Sequence, residues 1–261
     1  MTKINENERE ELDKRDVNLM KWFCIIFIGL FLGFILIPII INLINPVWGW
    51  NTFDFLIILV VSLLWTVPAL ATNATMVIFG RNGKPIDNGK YFKGKRILGD
   101  GKTWQGMIGG VLFGFIIGMI IWVLNYFVIF YAVKTLGLEN FKLNPTNGDV
   151  ITLYTNEQEI ASFFRVLPNV ALITSFFTAF GAFLGDMIGS GLKRRFNYRR
   201  GAPLPVVDQL DFISFAMLFA YITHPIKNFW IYFIFMIIFT PLVHLLANII
   251  AYLLKLKKEP W

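Results

Sequence analysis

Three acids and a set of cations carry the chemistry this sequence offers. Asp186 interrupts an otherwise uncharged run from Val166 to Leu192, within Gly185-Asp186-Met187-Ile188-Gly189-Ser190-Gly191-Leu192-Lys193-Arg194-Arg195. On a helix at about 100° per residue, Asp186, Ser190 and Lys193 share one face. At about 1.5 Å per residue, Asp186 lies about 10 Å deeper than Lys193. A carboxylate that deep in an apolar layer is costly unless paired, metal-bound or wetted, so it is a functional candidate ahead of a buried ion-pair partner. Downstream, Pro205-Val206-Val207-Asp208-Gln209-Leu210-Asp211 begins another apolar run. A helix starting near Pro205 puts Asp208 and Asp211 one turn apart on one face. Taken alone they read as a helix cap and a solvated acid. Opposite Asp186 they make a cluster of hard oxygen donors of the kind Mg2+ accepts, and all three are metal candidates.

The cations lie in a second segment, Arg81 to Trp104, which includes Lys93-Gly94-Lys95-Arg96-Ile97-Leu98-Gly99-Asp100-Gly101-Lys102-Thr103. Gly101-Lys102-Thr103 looks like the end of a nucleotide-binding P-loop. That motif needs Gly where Arg96 stands and a strand before it, so it is rejected. What survives is glycine-flanked, flexible backbone, several cations and a helix N-terminus near Thr103, a combination suited to a polyphosphate. A generic basic loop attracted to anionic lipid has no use for the interspersed Asp87 and Asp100.

The elements that position these groups are membrane helices. With 56% hydrophobic residues, 27 Phe and 16% charged residues in 261, the chain is too apolar for one water-soluble core. Apolar runs cover 22–50, 55–80, 103–133, 166–192, 212–226 and 228–254, and most exceed the roughly 20 residues needed to cross hydrocarbon. The expected fold is therefore all-α, a polytopic integral membrane protein with about six transmembrane helices. The net charge of +7 is gathered between the runs and marks orientation, not nucleic acid. Basic residues crowd the N-terminus, Arg81–Lys102, Lys193–Arg200 and Lys255–Lys258, against Lys134, Lys142, Arg165 and Lys227 on the other side. The positive-inside rule then places both termini and both charged loops in the cytoplasm of a multi-pass cell-membrane protein.

Other features bear on packing. Cys24 is the only cysteine, so neither a disulfide framework nor a cysteine metal site is available. His224 and His244 read as packing residues, and 22–43 as a retained anchor, not a cleaved signal. Gly106, Gly110, Gly114 and Gly118, like Gly181, Gly185 and Gly189, form small-residue stripes for close helix approach. Pro68 is expected to bend its span. Asn144 to Asp149 suggests a small external hairpin.

Together Ala71-Thr72-Asn73-Ala74-Thr75, Gly83-Lys84-Pro85-Ile86-Asp87, Ile97 to Trp104, Leu184-Gly185-Asp186 to Arg195, and Arg200-Gly201-Ala202-Pro203 to Phe212 resemble the motif series of archaeal CDP-archaeol synthases. Thr240-Pro241-Leu242-Val243-His244 to Trp261 is also similar. The likeness runs in order from Phe55 to Trp261. It implies a Mg2+-dependent cytidylyltransferase, a nucleotidyltransferase of phospholipid biosynthesis. Its substrates would be CTP and an isoprenoid glycerol-ether lipid phosphate, 2,3-di-O-geranylgeranylglyceryl phosphate (unsaturated archaetidic acid). Related bacterial CDP-diacylglycerol synthases carry a Ser-Lys-Arg and paired-Asp signature with counterparts in Ser190, Lys193, Arg194, Asp208 and Asp211. On this reading Asp186, Asp208, Asp211, Lys193 and Arg194 are catalytic. Asn73, Asp87, Lys95, Arg96, Asp100, Lys102, Thr103 and Ser190 bind substrate.

The chain departs from that family in an extra first helix and an enlarged external loop. Residues 1–21 are read as a polar cytoplasmic N-terminus, 22–50 as the extra helix and its external turn, and 51–261 as the membrane-embedded cytidylyltransferase domain, with its external loop at 134–165. Membrane lipids are the expected surroundings, and the oligomeric state is open, a homodimer included. Two rival readings are disfavoured. A cation-coupled transporter using Asp186 predicts acids along a path to both sides, whereas the candidates cluster on one; a CDP-alcohol phosphotransferase needs an Asp-Gly-x-x-Ala-Arg series that is absent.

Overall fold

The computed structural model describes residues 6–44, 52–136, 157–196, 207–223 and 229–253. Among them are six helices: α1 (Glu6–Ile44), α2 (Thr52–Phe79), α3 (Trp104–Leu136), α4 (Glu157–Arg195), α5 (Val207–Thr223) and α6 (Phe229–Leu253). Two short strands, β1 (Tyr91–Phe92) and β2 (Lys95–Arg96), lie between α2 and α3. The chain is an all-α polytopic membrane protein. Val17–Ile41, Trp104–Leu124, Ala171–Arg195 and Phe229–Leu246 are each long and apolar enough to cross a bilayer. The 17 residues of α5 reach only about 25 Å. Its start at Val207 lies just past the expected Pro205. The hairpin expected at 144–149, His224 and residues 197–206, which precede α5, lie outside the described residues.

Helices α2 to α5 form a tight group because glycine lets their backbones meet. A Cβ on Gly114 would run into the Thr72 hydroxyl and the Pro68 carbonyl, and one on Gly181 would stand 2.8 Å from the Phe215 carbonyl. In a bilayer such contact surface drives helix association where expulsion of water does not. Pro68 is carried inside an unbroken α2, and its carbonyl accepts from Thr72 Oγ1 at 2.8 Å. The buried core joins Trp65 and Ala69 of α2, Trp122 of α3, Ala182 of α4, Phe212 to Ala220 of α5 and Tyr232 to Met236 of α6. By contrast α1 lies outside this group and packs along α6 through Met20, Cys24, Phe27, Leu242 and Leu245. His244 stacks on Phe212, ring centroids 5.8 Å apart, in keeping with a packing role.

Candidate active site

Loop 80–103 is laced into shape from both ends. Ile86 N donates to Lys102 O at 2.8 Å and Trp104 N to Lys84 O at 3.0 Å, so the loop leaves α2 and returns to α3 through one narrow neck. At its centre sits Asp87, whose side chain is fully buried. It accepts from Arg96 Nε and Nη2 at 3.1 Å each, from the amides of Leu98 and Gly99 at 3.0 Å each, and from Gly89 N at 3.1 Å. Burial alone would push the Asp87 carboxyl up, but Arg96 and the three amides outweigh it and hold the group well below the usual carboxylate range. Arg96 is clamped on its other side by Asp100.

The expected flexible loop is thus an ordered one. Asp87, expected to bind substrate, is enclosed by the loop's own donors. Arg96 and Asp100 are engaged with each other and, through Arg96, with Asp87. Thr103 is also buried; its hydroxyl accepts from Gly106 N at 3.1 Å, capping α3, and donates to Gly80 O at 3.3 Å. The sequence carries a signal for the fold of this loop: Asn88-Gly89 and Lys93-Gly94 are turn dipeptides flanking Tyr91-Phe92.

Lys102 leaves the loop in the other direction and forms a short ion pair with Asp186 on α4, 84 residues away. The two charged segments of the sequence therefore meet. Lys95 Nζ donates to Arg195 O at 2.8 Å, and Arg194 Nε to Leu98 O at 3.3 Å, fastening the loop to the last turn of α4. A cleft opens between α2, α3, α4 and the loop, lined by Asn73, Met76, Gly101, Lys102, Phe183 and Asp186 among others. Its volume of about 80 Å³ suits a phosphate-sized group, well under the roughly 300–1,000 Å³ of pockets that enclose whole ligands.

Across α4, Lys193 Nζ donates to Asp208 Oδ2 at 2.5 Å. Asp211 turns toward Gly189: its Oδ2 occupies the place a Cβ there would need, and Oδ1 accepts from Phe212 N at 2.6 Å. Gly185 admits the Asp211 backbone in the same way. The glycine stripe of α4 was expected to pack helices; that it also seats a candidate acid emerges only from the structure. Asp211 lies within Coulomb range of Asp186, Asp208 and Lys102, so the three acids and the lysines form one charged cluster. Ser190 stands one turn beyond Asp186 on α4.

Three carboxylates and a hydroxyl are hard oxygen donors, the set a hard divalent cation accepts. Among the described residues, no three Asp, Glu, His or Cys groups are gathered as a finished ligand cage. Lys102 and Lys193 instead supply the countercharge at Asp186 and Asp208. By donor chemistry the residues suit such an ion, and Gly189 leaves space for the Asp211 carboxylate to sit against α4.

The sequence profile of the CarS-like CDP-archaeol synthase family matches residues 55–143 and 148–261. The chain belongs to this family. Curated relatives named CDP-archaeol synthase agree: one from Methanosarcina mazei is 39% identical over 200 residues, covering 75% of this chain and 99% of the relative. One from Methanosarcina barkeri is 41% identical with the same coverage, and one from Methanocaldococcus jannaschii is 39% identical, covering 78% and 98%. A solved structure of an intramembrane enzyme for archaeal membrane lipids biosynthesis is 30% identical, covering 72% of this chain and 92% of that one, with a TM-score of 0.46. The site residues all fall inside the CDP-archaeol synthase match, whereas α1 lies outside it.

Proposed function

We propose that loop 80–103 and the facing ends of α4 and α5 are one cytidylyltransferase centre that makes CDP-archaeol from CTP and 2,3-di-O-geranylgeranylglyceryl phosphate. The observation that carries this reading is the Lys102–Asp186 pair, which joins the cation loop to the acid cluster. A lipid phosphate oxygen attacks the α-phosphorus of CTP, the bond from that phosphorus to the bridging oxygen of the β-phosphate breaks, and pyrophosphate leaves. The phosphorus accepts and loses an oxygen in line, so no covalent enzyme intermediate is needed. The catalytic work is positioning and charge compensation.

Lys95 and Lys102 face the triphosphate, with Arg96 holding the loop that presents them. Lys193 and Arg194 meet the lipid phosphate or the departing pyrophosphate. Asn73, on the cleft wall beside Lys102, orients a substrate, and Ser190 donates a hydrogen bond to phosphate. Asp186, Asp208 and Asp211 would hold a Mg2+ ion, which would offset charge developing on the phosphoryl oxygens. Residues 51–261 form the catalytic unit, and the basic bias of its loops puts the centre on the cytoplasmic face of the cell membrane. The test of function is purified protein with α-labelled CTP and the lipid phosphate, in which labelled CDP-lipid and pyrophosphate appear together. CTP consumption without labelled lipid would sink the reading. For orientation, Asn82→Cys and Arg199→Cys in a Cys24→Ala background should be labelled by an impermeant thiol reagent from one side and Asn147→Cys from the other.

A further inference from the structure

Strand β1 and the hairpin tip, Tyr91 to Gly94, have no task in that chemistry, yet the hairpin's composition is unusual for a water-facing turn. Tyr91 pairs with Arg96 and Phe92 with Lys95 across it, and the tip is closed by Lys93 and Gly94, both with positive φ (51° and 74°). Two-residue strands do not stand alone in water. This hairpin nevertheless presents two aromatic rings, 69% and 54% exposed. From Asn88 to Gly99 the segment holds Lys90, Lys93, Lys95 and Arg96 and no acid.

Its depth is set by α4. Arg195 Nη1 donates to Phe92 O at 2.9 Å, its guanidinium lies 5.1 Å from the centre of the Phe92 ring, and Lys95 Nζ reaches Arg195 O. Arg195 ends the apolar span Ala171–Arg195, and half-exposed Trp104 begins the span Trp104–Leu124 on the other side of the loop. The hairpin therefore sits at the level where these helices leave hydrocarbon. Aromatic rings concentrate at that level, and basic side chains there attract anionic headgroups.

We infer that the 90–96 hairpin is a membrane-surface docking element, with Tyr91 at headgroup depth and Lys90 and Lys93 on the phosphates of anionic lipids. Docking fastens the outer edge of the loop whose inner edge carries Lys102, and so fixes the loop's height above the bilayer. The committed occupant is the lipid surface, chosen on charge complementarity and on the hairpin's level. The inference rests on the membrane-spanning fold and not on cytidylyl transfer, so the two fail separately.

The test is a nitroxide at Tyr91→Cys in the Cys24→Ala background, with the full chain reconstituted into phosphatidylcholine vesicles with or without phosphatidylglycerol. With anionic lipid, the label should be shielded from a water-soluble nickel chelate and accessible to oxygen; without it, the shielding should fall. Lys90→Gln with Lys93→Asn, the latter a residue that tolerates positive φ, should remove the difference between vesicles and leave CTP turnover in detergent unchanged. A label equally open to the nickel chelate in both vesicles would overturn the inference. So would shielding that survives the double substitution. Shielding that rises with protein density, whatever the lipid, would assign the face to a second copy and overturn it as well.

Discussion

Asp87 and Asp186 lie at the same end of the bundle, and each is largely withdrawn from solvent and next to a cation, but their surroundings differ in kind. Five donors converge on Asp87: two from Arg96 and three from backbone amides. Asp186 has the Lys102 ammonium and an open cleft, and Asp211 lies within Coulomb range of it. A fully satisfied buried carboxylate fixes a loop. One balanced by a single flexible lysine retains lone pairs for a cation. On the proposed function, the contrast separates an acid that builds the site from acids that act in it, although all of them are Asp in a basic sequence.

The sharpest way to break this contrast is to alter the acting acids. Asp208→Asn and Asp211→Asn should each lower CDP-lipid turnover at least about a hundredfold with insertion and helix content intact, since on the proposed function each would remove a ligand to the cation that offsets phosphoryl charge. Asp186→Glu should lose most activity too, because the longer arm moves the carboxylate relative to Lys102 and the phosphates. Near-normal turnover in both Asn variants would remove those residues from the centre. Next in size is Gly189→Ala. Its methyl group would displace Asp211 Oδ2, and a fall in kcat of about tenfold or more is expected by analogy with the loss of one positioned polar group. Unchanged kcat would mean that the seat of Asp211 has no bearing on catalysis.

The building acid should respond differently. Asp87→Asn leaves Arg96 short of a charged acceptor and should loosen the loop, so KM for CTP should rise severalfold while kcat changes less. Proteolysis between Lys90 and Lys102 should quicken by a similar factor. A selective loss of kcat would move Asp87 into the acting group. Its pH dependence gives the smallest effect. Because the folded carboxyl is held below its unfolded value of about 3.9, its contribution is fully present above that pH and is lost as pH falls toward the lower folded value. Loop protection from proteolysis should therefore be flat from neutral pH down to about pH 5 and decline only below about pH 4. A decline centred near neutrality would assign the transition to another group.

The helices were legible because hydrocarbon thickness imposes run lengths that no other constraint mimics. The starts of α3 at Trp104 and α5 at Val207 and the end of α4 at Arg195 lie within two residues of where apolar pattern and charge put them. Asp186 was legible as a candidate because an acid within an apolar run is costly to keep without a use, Lys193 because it shares that helix face, and Asp208 and Lys102 from their places at helix starts. The roles of Asp87, Arg96 and Thr103 were not. Charge shows sign but not partner, and only the closed neck at Lys84 and Trp104 decides that Arg96 turns inward to Asp87 while Lys102 turns outward to Asp186. The seat that Gly189 provides for Asp211 was hidden for the same reason: a small residue announces close approach without naming what approaches.

If the loop and the α4–α5 end work as one centre, a double-mutant cycle on Lys102 and Asp186 will show it. With kcat/KM for CDP-lipid formation measured for Lys102→Gln, Asp186→Asn and the double variant, a shared centre predicts strong non-additivity, the double variant being little worse than the worse single one. Losses that simply multiply would show two independent regions and contradict the account.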